Sequence, residues 1–153
     1  MYYSGNFYLS LEQMQTNAVY IRDWFINGWD VTINAVSAML GNMQSESTIN
    51  PAIWQNLDAG NDSLGYGLVQ WTPATKYFRW CYETGRDIQD MDSALIRILY
   101  EAYNGLQWGN DSLGNPPPMT FLEFLQSELP PSYLAILFLL HYERPYNQNQ
   151  PER

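Results

Sequence analysis

The sequence predicts a mainly α-helical domain, with one turn-rich or hairpin segment at about residues 56–71. Three observations indicate this fold class. Several stretches repeat apolar residues at helical spacing, capping residues precede them, and Gly, Asn and Asp concentrate at 56–67. A length of 153 residues with 46% hydrophobic residues is sufficient for one domain with one core. We therefore expect a single domain over residues 1–145. Residues 146–153, which are polar and contain proline, are expected to form a terminal tail or the start of a linker to a possible further domain.

The first helix is expected to begin after Ser10. Gln13 stands three residues later, which is the spacing of a capping box. Apolar residues then recur at helical spacing through Trp24 and Phe25. We expect Gly28 to stop this helix, because glycine is common just after the last helical turn.

A second helix is expected to follow, with Asp30 or Thr32 as its N-cap. Its apolar residues cover much of the helix circumference, which predicts a central, buried helix. The pattern runs directly into residues 44–47 (QSES). The helix should end before Asn50-Pro51, because a residue that precedes proline disfavours helical geometry.

Four later helices complete the predicted fold. Thr72-Pro73 predicts a helix start with proline at the first position, and this third helix should end at Gly85. A fourth helix is expected to begin near Asp92, and Thr120 is expected to cap a short fifth. The last helix is predicted at residues 133–143.

The charge and the apolar pattern exclude several functional classes. The net charge is −9 with only seven Lys and Arg, so we expect neither nucleic-acid binding nor adhesion to anionic membranes. The apolar run at 134–140 is too short to span a bilayer, and residues 1–5 lack the features of a signal peptide. We therefore expect synthesis in a cytoplasm without a signal peptide. Cys81 has no partner for an intrachain disulfide and is expected to be a buried thiol.

No pattern predicts a metal or another cofactor. The string GNDSLG occurs twice, at 60–65 and 109–114, but Asn-Asp-Ser between glycines is typical of turns and lacks the ligand spacing of a calcium loop. His141 stands alone in an apolar stretch and is expected to be a hydrogen-bonded structural residue. We therefore expect no metal site and no cofactor.

Glu46 is the candidate catalytic residue. Cleavage of a glycosidic bond requires an acid that protonates the departing oxygen, and apolar surroundings can keep a Glu protonated for this purpose. Glu46 stands at the end of the most apolar predicted helix, directly before the turn-rich segment. This position would suit an acid in a cleft between the helix and the turn-rich segment.

Residues 41–51 (GNMQSESTINP) and 65–73 (GYGLVQWTP) together resemble the phage tail lysozyme family, which is found in tail-tip lysins of short-tailed phages of Gram-positive hosts. The resemblance covers almost the whole chain and includes residues 142–145 (YERP). Glu-Ser followed by Gly-Leu-x-Gln also resembles, more loosely, soluble lytic transglycosylases and goose-type lysozymes. The resemblance implies a lysozyme-like α+β fold with few strands, Glu46 as general acid, and peptidoglycan glycan chains as substrate.

The resemblance also implies roles for three other residues. Ser47 would steady the Glu46 carboxyl group, and Gln70 would form a hydrogen bond to sugar or water in the cleft. Tyr142 would match the late tyrosine of the transglycosylase pattern. A tyrosine directed into the core is the alternative for Tyr142.

Aromatic and acidic residues near the motifs have two interpretations each. Tyr66, Trp71 and Trp54 are candidates for stacking on sugar rings, or alternatively for the hydrophobic core. Asp58 and Asp62 are turn formers, and one of them is a candidate second carboxylate, which many glycosidases use to activate water or to form a covalent intermediate.

The resemblance favours a muramidase that is carried on a phage tail, in the virion, and acts on the host cell wall at infection. Its expected partners are peptidoglycan and phage tail proteins, and its site of synthesis is the host cytoplasm. Three alternatives remain open: a lytic transglycosylase that leaves 1,6-anhydro products, an endolysin that acts at phage release, and a non-catalytic glycan-binding tail module.

Overall fold

A computed structural model describes residues 1–145 and 148–151. The fold is mainly helical, as the sequence predicts. A single 3-10 turn at Gln55–Leu57 and a π-helical turn at Leu139–Glu143 supplement the α-helices. In this part of the chain the α-helices are α1 (Leu11–Trp29), α2 (Ile33–Ser47), α3 (Thr75–Thr84), α4 (Met91–Tyr103), α5 (Phe121–Leu125) and α6 (Pro131–Phe138).

Helix α1 begins with the predicted capping box. The Ser10 hydroxyl accepts from the Gln13 amide, and the Gln13 side chain accepts from the Ser10 amide. The expectation that Gly28 ends the helix is wrong, because α1 continues to Trp29 and Asp30 adopts the left-handed conformation instead. One glycine costs a helix only about 1 kcal/mol relative to alanine. That cost is too small to end a helix by itself.

Helix α2 is the centre of the fold, as predicted. Thr32 caps it by accepting a hydrogen bond from the Ala35 amide, and Ala35, Met39 and Met43 are fully buried. The helix packs mainly against α6 and α1. The Asn42 side chain donates to the Ala135 carbonyl of α6 at 3.1 Å, so a buried polar bond fixes the two helices against each other.

The turn-rich segment contains only isolated antiparallel bridges, from Tyr66 to Trp54 and to Trp71. Helix α3 begins at Thr75 and not at Pro73, which corrects the predicted start. The Ala74 amide donates to the Leu64 carbonyl at 2.9 Å, so the chain is still bonded to the turn segment at that point.

The later helices agree with the predicted order. Gly85 ends α3 in the left-handed conformation, and Asp90 caps α4, which begins at Met91, near the expected start. Thr120 caps α5 in a complete capping box. Cys81 is buried, as expected.

The last helix begins at Pro131, earlier than predicted, and changes to a π turn before Glu143. Among the described residues, no helix is long and apolar enough to cross a membrane. Within the predicted tail, residues 146–147 and 152–153 lie outside the part of the chain that the structure describes.

Candidate active site

Glu46 lies in the last turn of α2 and is partly exposed. The two residues that end this helix, Thr48 (φ 53°) and Ile49 (φ 58°), both adopt the left-handed conformation. This conformation is an outlier for β-branched residues and costs on the order of 1–3 kcal/mol at each position. Such strain persists only where the surrounding structure holds it, and it is concentrated at functional sites.

The N-terminal segment holds this strained turn. The Leu9 amide donates to Thr48 Oγ1 at 3.0 Å, and Asn17 Nδ2 donates to the Ile49 carbonyl at 2.8 Å. Asn50 Nδ2 donates to the carbonyls of Gly5 and Phe7, at 2.7 Å each. The chain directly after Glu46 is therefore held by hydrogen bonds on several sides, which limits the movement of the α2 end.

Ser47 connects the end of α2 to the turn-rich segment. It is buried, and its hydroxyl lies 2.7 Å from the Leu68 carbonyl and 3.0 Å from the Met43 carbonyl. A serine hydroxyl has one proton to donate, and here it is directed at backbone carbonyls. In this structure Ser47 therefore holds two backbone segments together, beside the residue predicted to be the acid.

Gln70 stabilises the loop that contains Leu68, whose carbonyl accepts the Ser47 hydrogen bond. Its backbone is left-handed (φ 53°), and its Nε2 donates to the carbonyls of Gly67 at 2.9 Å and Ile53 at 3.3 Å. A Cβ atom on Gly65 would lie 2.9 Å from Gln70 Oε1, so only glycine fits there without a shift. The side chain predicted to bind sugar or water thus also holds the loop closed.

A polar cleft of about 250 Å³ brings together three of the predicted site residues, Gln70, Trp71 and Tyr142. Glu46, Ser47 and Tyr66 are not among its described lining residues, and neither is Asp58 or Asp62. The remaining residues of its wall are Val69, Thr72, Lys76, Gln107, Glu143 and Arg144.

The predicted stacking residues lie mostly in the core. Tyr66 is 1% exposed and its hydroxyl donates to the Ile88 carbonyl, while Trp54 packs edge-on against the Tyr66 ring. The Trp71 ring stacks on Tyr77 with ring centres 4.1 Å apart. For Tyr66, therefore, the structure gives the core arrangement, which was one of its two interpretations. Trp71 packs in the core and borders the cleft as well.

Glu101 is a buried acidic residue that the sequence analysis did not select. It is 0% exposed, and its carboxylate accepts from Trp71 Nε1 at 3.0 Å and from the Tyr142 hydroxyl at 2.5 Å. Arg97, one helical turn earlier, donates to it at 3.3 Å. One carboxylate therefore positions two of the side chains that line the cleft.

Burial raises the pKa of Glu101 from its ordinary value of 4.5 to about 6, because desolvation outweighs the opposing effects of the Tyr142, Arg97 and Trp71 contacts. The sequence contains a pattern from which the burial of Glu101 could have been predicted. Glu101 stands three residues after Ile98 and next to Ala102, on the apolar face of α4. A charged residue on an apolar helical face is rarely buried without partners.

The two aspartates predicted as a possible second carboxylate lie in exposed turns. Asp58 accepts from Asn61 Nδ2 at 2.9 Å, which is turn chemistry, and Asp62 is exposed. In the second GNDSLG copy, Asp111 accepts from the Leu113 and Asn115 amides, as expected for a turn. His141 is buried, with Nδ1 2.9 Å from the Gly109 carbonyl.

A larger cavity of about 530 Å³ lies elsewhere, between the end of α4 and α5. Its wall includes Trp108, Phe121 and two prolines, and none of the residues predicted for the site. The larger cavity and the predicted site residues therefore do not coincide.

The family model for phage tail lysozyme matches residues 16–153, which include the strained α2 end and the whole cleft wall. The chain belongs to the phage tail lysozyme family. This membership agrees with the resemblance of the motifs around Glu46 and Gln70.

A curated relative matches the whole chain. The chain is 56% identical, over its full length, to morphogenesis protein 1 of Bacillus phage B103. It spans about 40% of the length of that protein. The domain is thus a lysozyme-like protein with phage-tail relatives.

Proposed function

We propose that this domain is a muramidase that cleaves the bond between N-acetylmuramic acid and N-acetylglucosamine in peptidoglycan, with Glu46 as general acid. The substrate follows from the family, whose members are described as lysozymes. The proposed setting is the phage tail, where the domain would act on the host wall at infection, since the family is that of phage tail lysozymes and the relative from phage B103 is a morphogenesis protein.

The observation that carries this proposal is the strained and braced end of α2. Glu46 stands directly before two left-handed β-branched residues, and Ser47 bonds this end to the loop that contributes Gln70 and Trp71 to the cleft. A proton donor must be held within a fraction of an ångström of its working position. A helix end fixed by hydrogen bonds from three other segments meets that requirement.

The proposed reaction is hydrolysis. Protonation of the glycosidic oxygen by Glu46 lets the leaving sugar depart, and water then adds to the muramic acid carbon. A second carboxylate would direct this water, and Asp58 and Asp62 remain its candidates. Both lie in turns that precede the cleft-lining loop in the chain.

Product analysis tests the reaction type. Purified peptidoglycan digested in oxygen-18 water should yield reducing muramic acid ends that carry the label. Dominant 1,6-anhydro ends without label would instead identify a lytic transglycosylase, in which the sugar's own hydroxyl attacks. No cleavage of purified peptidoglycan would favour the non-catalytic glycan-binding module.

Separate Asp58→Asn and Asp62→Asn variants should differ in activity if one of them is the second carboxylate. Loss of a general base typically reduces the rate about 10²–10⁴-fold. Since both side chains are exposed, the folded state should tolerate either change, and the two variants serve as controls for each other. Normal rates in both would remove these residues from the mechanism.

A further inference from the structure

The polar cleft contains an unusual share of the positive charge of this acidic chain. The protein has seven Lys and Arg against sixteen Asp and Glu, yet Lys76 and Arg144 both line the same 250 Å³ space. Of the carboxylates, only Glu143 is among the described lining residues, and it has interactions of its own. A local excess of cations in a molecule of net charge −9 favours an anionic ligand at this point.

Lys76 is held in the cleft without an acidic partner. Its ammonium group is half-buried, and its one hydrogen bond among the described residues is a long contact of 3.4 Å to Gln107 Oε1. Neither Lys76 nor Arg144 forms an ion pair within 4.0 Å in the described ranges. An ammonium has three donors, so most of the hydrogen-bonding capacity of Lys76 remains available.

Burial and nearby cations disfavour the charge on Lys76. Burial has the largest effect and lowers its pKa, Glu101 raises it, and the positive charges of Arg144 and Arg97 lower it further. Glu101 lies behind Trp71 and Tyr142, to which it is bonded, and it is already paired with Arg97. An anion in the cleft would therefore offset the unfavourable effect of the Arg144 charge on Lys76.

Hydrogen bonds hold the part of the cleft wall that contacts Lys76 and hold the backbone of Arg144, whose side chain is exposed. Gln107 has a left-handed backbone (φ 67°), accepts from Lys76, and donates from Nε2 to the Tyr142 carbonyl at 2.7 Å. Arg144 is also left-handed (φ 50°), and its amide donates to the Leu139 carbonyl at the end of the π turn. The cleft is thus preorganised, which reduces the cost of binding.

We propose that Lys76 and Arg144 form a carboxylate-binding subsite, which holds a free carboxylate of the wall polymer beside Trp71 and Gln107. The volume is below the roughly 300–1,000 Å³ typical of pockets for whole drug-sized ligands, so it suits one group of a larger substrate. This inference rests on the proposed function for the identity of the polymer. The carboxylate belongs either to the peptide stem or to the lactyl group that is exposed when the stem is removed.

Steady-state kinetics on three substrates test the subsite. Lys76→Gln and Arg144→Gln should each raise KM about tenfold on peptidoglycan with intact stems, with little change in kcat. Arg79→Gln, which removes an exposed charge from the same helix as Lys76, is the control with the same change in net charge. Neutral chito-oligosaccharides carry no carboxylate, so Lys76→Gln and Arg144→Gln should change the affinity for them no more than Arg79→Gln does.

Glycan strands from which an amidase has removed the stems distinguish the two possible sources of the carboxylate, the peptide stem and the lactyl group. If the variants lose affinity only for stem-bearing strands, the subsite binds a stem carboxylate. If they lose affinity only for stripped strands, it binds the lactyl carboxylate, and equal losses on both kinds of strand mean that it accepts either carboxylate. Unchanged KM in both variants on both carboxylate-bearing substrates would overturn the proposal.

A binding measurement separates this inference from the proposed activity. In a Glu46→Gln background, muramyl dipeptide should shift the Trp71 indole N–H resonance in NMR spectra. Adding Lys76→Gln or Arg144→Gln should weaken this binding about tenfold, whereas adding Arg79→Gln should not. Such binding, together with no cleavage of peptidoglycan by the unmodified protein, would preserve the subsite and reject the muramidase. No binding at millimolar muramyl dipeptide or N-acetylmuramic acid, which carries the free lactyl carboxylate, or equal binding in all variants, would reject the subsite while leaving cleavage untouched.

Discussion

Replacing Glu46 with Gln is expected to reduce the rate of peptidoglycan cleavage about 10²–10⁴-fold, because glutamine keeps nearly the same shape but has no proton to donate. The loss should be in kcat, since the group acts on the departing oxygen and not on binding. The melting temperature should change little, because the side chain is partly exposed at a helix end. Release of soluble muropeptides over time measures the rate.

Glu83→Gln is the matched control for this variant. Glu83 is an exposed helical glutamate on α3, so the substitution removes the same charge far from the end of α2 in sequence. We expect normal turnover in this control. Near-normal turnover in a folded Glu46→Gln protein would exclude Glu46 as the acid.

The largest loss of stability is expected from Glu101→Ala. This substitution leaves the buried Arg97 without its carboxylate and leaves the Trp71 and Tyr142 donors without their acceptor. Removing one partner of a buried ion pair costs about 3–5 kcal/mol. Urea denaturation should show this decrease in the free energy of unfolding as a lower midpoint at constant m-value.

Two control variants test whether the loss of stability in Glu101→Ala comes from its buried hydrogen bonds. Tyr142→Phe removes one hydrogen bond to the same carboxylate and should cost less, about 1.5–3 kcal/mol. Glu83→Ala, at an exposed position, should stay within about 0.5 kcal/mol of the unmodified protein. A Glu101→Ala protein as stable as this exposed control would contradict the proposed hydrogen-bond network.

The pH dependence of stability provides a second test of Glu101. Its pKa is about 6 in the folded protein against an ordinary value of 4.5, so the folded chain binds this proton more tightly than the unfolded chain. The Glu101 contribution therefore decreases as the pH rises from about 4.5 to about 6, by about 2 kcal/mol in total. Glu101→Gln should lack this decrease, which the difference between the two stability–pH curves measures. Parallel curves would contradict the raised pKa.

Local sequence patterns were sufficient to predict most of the helices. The capping box at Ser10, the cap at Thr120 and the helix end at Gly85 form as expected, because each involves residues only a few positions apart. The central position of α2 also followed from its apolar circumference. Helix starts failed where a distant group competed, as at Ala74, whose amide bonds to Leu64 in place of starting a helix.

The motif around Glu46 and Gln70 was recognisable in the sequence, but the arrangement of the cleft was not. Tyr142 and Trp71 are 71 residues apart in the chain, and they meet because both donate to Glu101 of α4. Lys76 and Arg144 are likewise far apart in sequence. Short-range patterns carry no information about which side chains long-range packing brings together.

The sequence by itself therefore determined the helical class, the family resemblance and the candidate acid, since these depend on periodicity and on a contiguous motif. Only the tertiary structure decided that Tyr66 lies in the core, that Ser47 bonds to the Leu68 carbonyl, and that Glu101 is buried beneath the cleft. The physical reason is that burial and hydrogen-bond partners are properties of packed surfaces. A residue's type restricts its environment, but only the neighbours that the fold supplies determine it.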